Sequence, residues 1–221
     1  MKRMGSDQYW KSQAALFARL YEKKSMSSPS GIVALFLKQR TDILSHFMPK
    51  TKNQKILDVG CGSGIHMVEY VPRCKSITGV DYSKQMLDVA TVELQKTKKR
   101  NWKLVQADAT RISLPSGTFD SAYAMGLLDY VEHPKKVCLE VHRLLKPNGI
   151  FVVSIPKNPS LFGFLRTPFG KRIKKTIFRL PQIDNAMTEE MLQTLFSSTG
   201  FSMQKKISLW SAMWMIKAIK K

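Results

Sequence analysis

The sequence predicts an α/β fold in which helices cover both faces of an open, mostly parallel sheet. Three observations support it. The apolar run Lys55–Val59 breaks at once into Gly60, Cys61, Gly62, Ser63 and Gly64, which reads as a buried parallel strand entering a glycine loop. A second apolar run, Ser76–Val80, ends in Asp81, roughly twenty residues after the loop, where an acid can accept from the hydroxyls of a ribose. Further apolar runs at Phe119–Ala124 and Ile150–Ser154 alternate with helical patterns, as strand–helix units require.

From the start of the chain, residues 1–24 carry Tyr9, Trp10, Leu16, Phe17, Leu20 and Tyr21 at helical spacings, an amphipathic pattern. Ser25–Gly31 reads as a polar hinge of Ser, Pro and Gly. Residues 1–31 are therefore expected to form a helical extension and hinge, and residues 32–221 the main domain. A second helix is expected from Ile32 to Phe47, stopping before Pro49.

The glycine loop discriminates between ligands. Its spacing lets backbone approach a ligand closely, and the next helix starts with its unpaired N–H groups facing the same space. A dinucleotide fingerprint needs G-x-G-x-x-G, but Ile65 takes its third glycine place and Gly64 comes one residue early. Asp58, inside the turn, would repel a pyrophosphate and suits a ligand carrying a positive amino group. Asp58-x-Gly60-x-Gly62-x-Gly64 followed by Asp81 resembles the cofactor site of class I S-adenosylmethionine-dependent methyltransferases, in particular the small-molecule and quinone-type domains.

That resemblance covers roughly Ile32 to the C-terminus. It implies a Rossmann-like seven-stranded sheet, mostly parallel with one antiparallel strand, and S-adenosyl-L-methionine as cofactor. By the same resemblance Asp58, Gly60, Cys61, Gly62 and Gly64 hold the methionine end, and Asp81 the ribose. Tyr82 joins the cofactor set, Met86, Asp108 and Ala109 border the adenine, and Met125, Gly126 and Leu127 lie beside the transferable methyl.

Downstream, Ser83 is placed to cap a helix from Lys84 to about Lys98 with Met86, Leu87, Ala90 and Leu94 inward. A third strand is expected at Leu104–Gln106. Leu114–Asp120 resembles the family's lead into the fourth strand. Quinone-pathway O-methyltransferases with a metal-assisted site carry Glu-x-x-Glu-His just after it. Here those places fall on Gly126, Asp129 and Tyr130, so no metal is predicted. His133 stands before Pro134 at a helix start, a structural position more often than a catalytic one. That helix runs through Glu140, Val141, Leu144 and Leu145 to Pro147-Asn148-Gly149.

Between Ile155 and Pro181, where the family has only a connection, lie seven basic residues and no acid. This insertion spans about residues 156–187. If Phe169–Leu180 is helical, Phe169, Ile173, Ile177 and Leu180 form a stripe flanked by Lys171, Arg172, Lys174, Lys175 and Arg179. Such a helix reads either as a contact with an anionic membrane surface or as a substrate lid. Thr188-Glu189-Glu190 starts the last helix, Gly200 ends it, and Phe201–Leu209 with Ala212–Ile219 closes the sheet as a hairpin.

Composition narrows the function. Thirty-six Lys and Arg against sixteen Asp and Glu give a net charge of +20, which implies an anionic contact or a well-solvated surface. Cys61, Cys74 and Cys138 are scattered, odd in number and without metal-ligand spacing, as expected in a reducing compartment. Met1–Lys24 is too polar for a signal peptide and no run is long enough to span a membrane. The expectation is a cytoplasmic enzyme, peripheral at a membrane, that methylates a small lipophilic or amphipathic molecule. The alternative is an RNA or protein methyltransferase using the basic surface. Nucleic acid is the weaker partner, because no RNA-binding module and no Asn-Pro-Pro-Tyr-like motif follow the fourth strand.

Overall fold

The computed structural model describes residues 29–49, 52–158 and 185–221. The expected N-terminal helix, residues 25–28 of the hinge and the basic helix at Phe169–Leu180 lie outside them. The described chain runs α1 (Pro29–Phe47), β1 (Lys55–Val59), α2 (Ile65–Tyr70), β2 (Ser76–Asp81), α3 (Lys84–Gln95), β3 (Trp102–Gln106) and β4 (Phe119–Met125). It continues with α4 (Pro134–Leu144), β5 (Leu145–Pro156), α5 (Glu189–Ser197), β6 (Phe201–Leu209) and β7 (Met213–Lys220).

The seven strands form one sheet in the order β3-β2-β1-β4-β5-β7-β6. Pairings from β3 across to β5 are parallel, and β7 runs antiparallel to both β5 and β6. Strand alternation divides the apolar side chains between two layers. Leu57, Ala122, Ala124, Phe151 and Val153 pack against α4 and α5, whereas Ile56, Tyr123, Met125 and Val152 pack against α1, α2 and α3. The chain leaves β1 toward β2 on one side and meets β4 on the other. The crevice between β1 and β4, at their C-terminal ends, is the switch point where open α/β sheets bind ligands.

Local chemistry explains the boundaries. Ser83 Oγ accepts from the Met86 N–H at 3.4 Å and Thr188 Oγ1 from the Met191 N–H at 3.2 Å, so both predicted caps form. Among the boundaries that differ from the sequence expectation, four have a clear cause. Helix α1 begins at Pro29, which places Pro29, Ser30 and Gly31 in the helix rather than in a hinge; proline is pre-organised for a first turn. Helix α3 ends at Gln95, and Lys98, expected inside it, adopts φ 55°. Strand β3 starts at Trp102 because parallel pairing with Ile77 recruits it. Leu145 leaves the helix with φ −75° and ψ 145° and opens β5. The β4–β5 register then jumps from Phe119↔Leu145 to Ser121↔Ile150, which leaves Pro147-Asn148-Gly149 as a bulge.

The loop before β4 is clasped to α4 by Arg143. Its guanidinium donates to both Glu140 oxygens at 2.8 and 2.9 Å, to the carbonyls of Ile112 and Leu114 at 2.8 and 2.9 Å, and to Ser116 Oγ at 2.9 Å. Arg143→Ala should cost about 2–3 kcal/mol, because it strips a charge-assisted pair and two carbonyls of their donor. A lower urea midpoint at unchanged slope is the measurement that checks it.

Candidate functional site

The loop after β1 is held from beneath. The N–H groups of Gly60 and Cys61 donate to the Val80 carbonyl at 2.8 and 3.0 Å, which ties the loop to the end of β2. Gly60, Gly62 and Gly64 lie in the left-handed region at φ 73°, 53° and 75°. They are not equivalent. A Cβ on Gly60 would meet Leu127 Cδ1 at 2.9 Å and one on Gly64 would meet Ala90 Cβ at 3.0 Å, whereas one on Gly62 meets nothing within 4 Å. Packing demands the outer two glycines; the middle one borders open space, as a ligand cradle requires. Cys61 turns its thiol into the core against Gly79, so its side chain belongs to the packing and only its backbone borders the loop.

Asp81 sits at the C-terminal end of β2. Its Oδ2 accepts from the Gly62 N–H at 2.8 Å and its Oδ1 from the Ser83 N–H at 2.9 Å. The predicted ribose acid thus also sets the shape of the glycine loop and the start of α3. Burial raises its pKa, and the amide donors at Ser83, Gly62 and Tyr82 oppose that shift.

Asp58 lies inside β1, opposite Tyr123 of β4, and is 1% exposed. Burial pushes its carboxyl well above the usual range; the neighbouring Tyr123 hydroxyl opposes this and the charge of Asp81 adds to it. Asp58 Oδ2 and the Tyr123 hydroxyl make no hydrogen bond of good geometry, although the two groups lie close enough to shift each other's protonation. An acid held this way is short of a cation.

The third wall comes from the chain after β4. Gly126 adopts φ 75° and donates its N–H to the buried Ser154 Oγ at 2.8 Å. Met125 is buried and Leu127 lies against Gly60. Asn185, at the C-terminal end of the insertion, donates through Nδ2 to the carbonyls of Leu128 and Val131 and so fixes this turn from outside. His133 is exposed and stands at the N-cap of α4, with its carbonyl accepting from the N–H groups of Lys136 and Val137.

The predicted adenine and ribose neighbours collect at the ends of β2 and β3. Met86 is buried and Tyr82 is 57% exposed. Asp108 turns Oδ1 to the N–H and hydroxyl of Thr110 at 2.7 and 2.8 Å, an exposed turn, and Ala109 packs against the core. The Ala107 N–H donates to the Asp81 carbonyl at 3.1 Å, which keeps this segment beside Asp81.

Sequence reasoning missed four residues. Arg40 of α1 is a buried arginine, and its Nη1 lies 3.1 Å from where a Cβ on Gly126 would start. His66 of α2 is buried, and burial first, with the Arg40 charge second, lowers its pKa to about 3, so it is neutral at pH 7. Tyr123 stands edge-on to His66, with ring centroids 6.2 Å apart. Asn185 is the fourth. Only the alternation of β4 offered any signal, since it puts Tyr123 on the same sheet face as Met125.

The open glycine, the unpaired buried acid and the buried arginine together fit a ligand that carries an ammonium and a carboxylate at one end and a ribose at the other. Comparison with known proteins agrees with this chemistry. Residues 57–153 match the model of a methyltransferase domain. The chain is 29% identical to demethylmenaquinone methyltransferase of Geobacillus stearothermophilus over 75% of this chain and 77% of that protein. It is 33% identical to ubiquinone biosynthesis O-methyltransferase of Pseudomonas aeruginosa over 50% of this chain. That match spans about half the length of the relative, 48%. Among solved structures, magnesium protoporphyrin IX methyltransferase from Synechocystis with bound SAH superposes with a TM-score of 0.77 at 15% identity, covering 97% of both chains. The [4+2]-cyclase SpnF superposes with a TM-score of 0.75 at 17% identity, over 97% of this chain and 94% of that one.

Proposed function

We propose that the chain is a class I S-adenosylmethionine-dependent methyltransferase, a reading supported by its match to a methyltransferase domain model and to named methyltransferases, and that it methylates a small lipophilic or amphipathic acceptor, a quinone-like ring being the class that suits it best. The observation that carries the site is the meeting of Gly62, Asp81 and Asp58 at the C-terminal ends of β1 and β2. The acceptor class rests on the relatives, which are named for demethylmenaquinone and ubiquinone chemistry. The basic amphipathic insertion supports delivery from an anionic lipid surface. No helix among the described residues is long and apolar enough to cross a membrane.

When bound, S-adenosylmethionine supplies a methyl group already activated on a sulfonium. The work of this chain is then to bind and orient. Asp58 receives the ammonium that its unpaired oxygen is short of, and Arg40 faces the carboxylate. Gly62 leaves room for the ligand's backbone, and Asp81 keeps the loop amides in register while its remaining lone pairs face the ribose. Met125 and Leu127 form an apolar wall that keeps water from the methyl. Holding two reactants in line supplies roughly 7–11 kcal/mol of the barrier, so the site needs no dedicated catalytic motif to be effective.

The test is transfer of labelled methyl from S-adenosylmethionine into a whole-cell extract separated into organic, small aqueous, RNA and protein fractions. Label in the organic fraction is expected. Label confined to RNA or protein overturns the acceptor class and makes the +20 charge a recognition surface.

A further inference from the structure

The turn between β6 and β7 has an unusual composition. It is closed by the Ala212 N–H donating to the Leu209 carbonyl at 3.0 Å, and its two central residues, Trp210 and Ser211, have φ 50° and 49°. A turn with both central residues left-handed normally uses Asn-Gly or Asp-Gly, because any Cβ there is strained. Such strain persists where surrounding contacts over-determine the conformation, and it clusters near functional sites.

Those contacts come from the other end of the chain. The Trp210 ring stands edge-on to Phe36 of α1, with centroids 5.4 Å apart and planes at 69°. Its Nε1–H donates to Gln39 Oε1 at 2.6 Å, across 171 residues of sequence. Phe36, Gln39 and Arg40 are spaced three and four apart and so lie on neighbouring faces of the helix. Arg40, the residue after Gln39, reaches the cofactor crevice at Gly126 and bears on His66. The C-terminal half of α1 is anchored independently by the buried Leu44 and Phe47. Arg40 lies one turn before Leu44, and the strained tryptophan grips the turn that carries it, through Phe36 and Gln39.

We propose that Trp210 is a positioning residue: the left-handed β6–β7 turn presents its indole to Phe36 and Gln39, fixes the rotation of α1, and so holds the Arg40 guanidinium at the methionine end of the site. This deepens the reading of that crevice as a cofactor site and rests on it. The Trp210 contact is a lever acting on the site from the far edge of the sheet.

The experiment is a double-mutant cycle on the full chain, read by calorimetric binding of S-adenosylhomocysteine. Trp210→Phe, which keeps the ring and drops the N–H, should weaken binding about fivefold, and Trp210→Ala about tenfold or more. In an Arg40→Lys background Trp210→Ala should add little further loss, because both act through one guanidinium. Multiplicative losses in the double variant overturn the proposal. So does a Trp210→Ala protein that melts lower but binds as the wild type does, since a merely structural contact predicts that result. Amide exchange separates the failure of the two readings. Wild-type protein that binds no S-adenosylhomocysteine sinks the cofactor reading. The lever then stands or falls on whether Trp210→Ala speeds exchange at Phe36–Arg40 about tenfold while β1 and β4 amides stay protected.

Discussion

Asp58→Asn is expected to weaken S-adenosylhomocysteine binding by about 10- to 100-fold, the worth of a charge-assisted contact, while making the ligand-free protein more stable at neutral and higher pH. Both effects come from one carboxylate that is 1% exposed and has an oxygen that makes no hydrogen bond of good geometry. Asn keeps the shape and removes the charge. The sign of the pH dependence follows from the raised pKa of Asp58. The folded protein holds this proton at a pH where the unfolded chain, titrating near 3.8, has lost it. Its stabilising contribution is complete below about 3.8 and declines as pH rises from there through the raised native value. The variant lacks that decline, so its advantage in urea denaturation should widen with pH. A variant that binds ligand like the wild type would remove Asp58 from the site. A gap in stability that narrows with pH would reverse its assigned electrostatics. Function and stability are opposed at this residue, as sites that need an unsatisfied charge often are.

Two glycine substitutions should separate folding from binding even more sharply. At Gly79, inside β2, an added Cβ would lie 2.4 Å from Met67 Sδ, 2.9 Å from Cys61 Sγ and 3.0 Å from Leu104 Cδ2. Three side chains cannot all give way in a packed core, so Gly79→Ala should cost about 2–3 kcal/mol of stability, the upper range for overpacking. At Gly62 the added methyl meets nothing, and only the φ of 53° is unfavourable. Gly62→Ala should therefore cost only about 1–2 kcal/mol in stability. Its methyl intrudes where the ligand approaches, and a backbone–ligand contact broken by sterics should cost about 100-fold in affinity for S-adenosylhomocysteine. Urea midpoints and calorimetric titration of both variants give the comparison. Equal loss of affinity and stability in Gly62→Ala would mean that its open side is not the ligand side.

Much of the fold was legible because it depends on local pattern. The KILDV run, the alternate glycines, Ser83 and Thr188 as caps and Gly200 as a helix stop are short-range signals, and each stands where the sequence put it. Leu145 was misread because its apolar side chain suits the last turn of α4 as well as the first residue of β5. The choice was made by pairing with Phe119. Pro29–Gly31 were misread because a Ser-Pro-Gly cluster signals a hinge when no neighbour is known; the register of α1 on the sheet absorbs them as a first turn.

The site divides in the same way. The sequence by itself determined the glycine loop, Asp58 and Asp81, since strand, turn and acid are linked by chain lengths of only a few residues to about twenty. It could not show that Gly62 alone faces open space while Gly60 and Gly64 are packed, because Leu127 and Ala90 arrive from distant segments. Nor could it bring Arg40 to Gly126, Tyr123 beside Asp58, or Trp210 onto Gln39. Those contacts join residues that share no local pattern. Only the strand order β3-β2-β1-β4-β5-β7-β6 and the packing of α1 across it decide them. A polar side chain on a helix or strand is defined by what the fold sets opposite it, and burial turns that neighbour into chemistry.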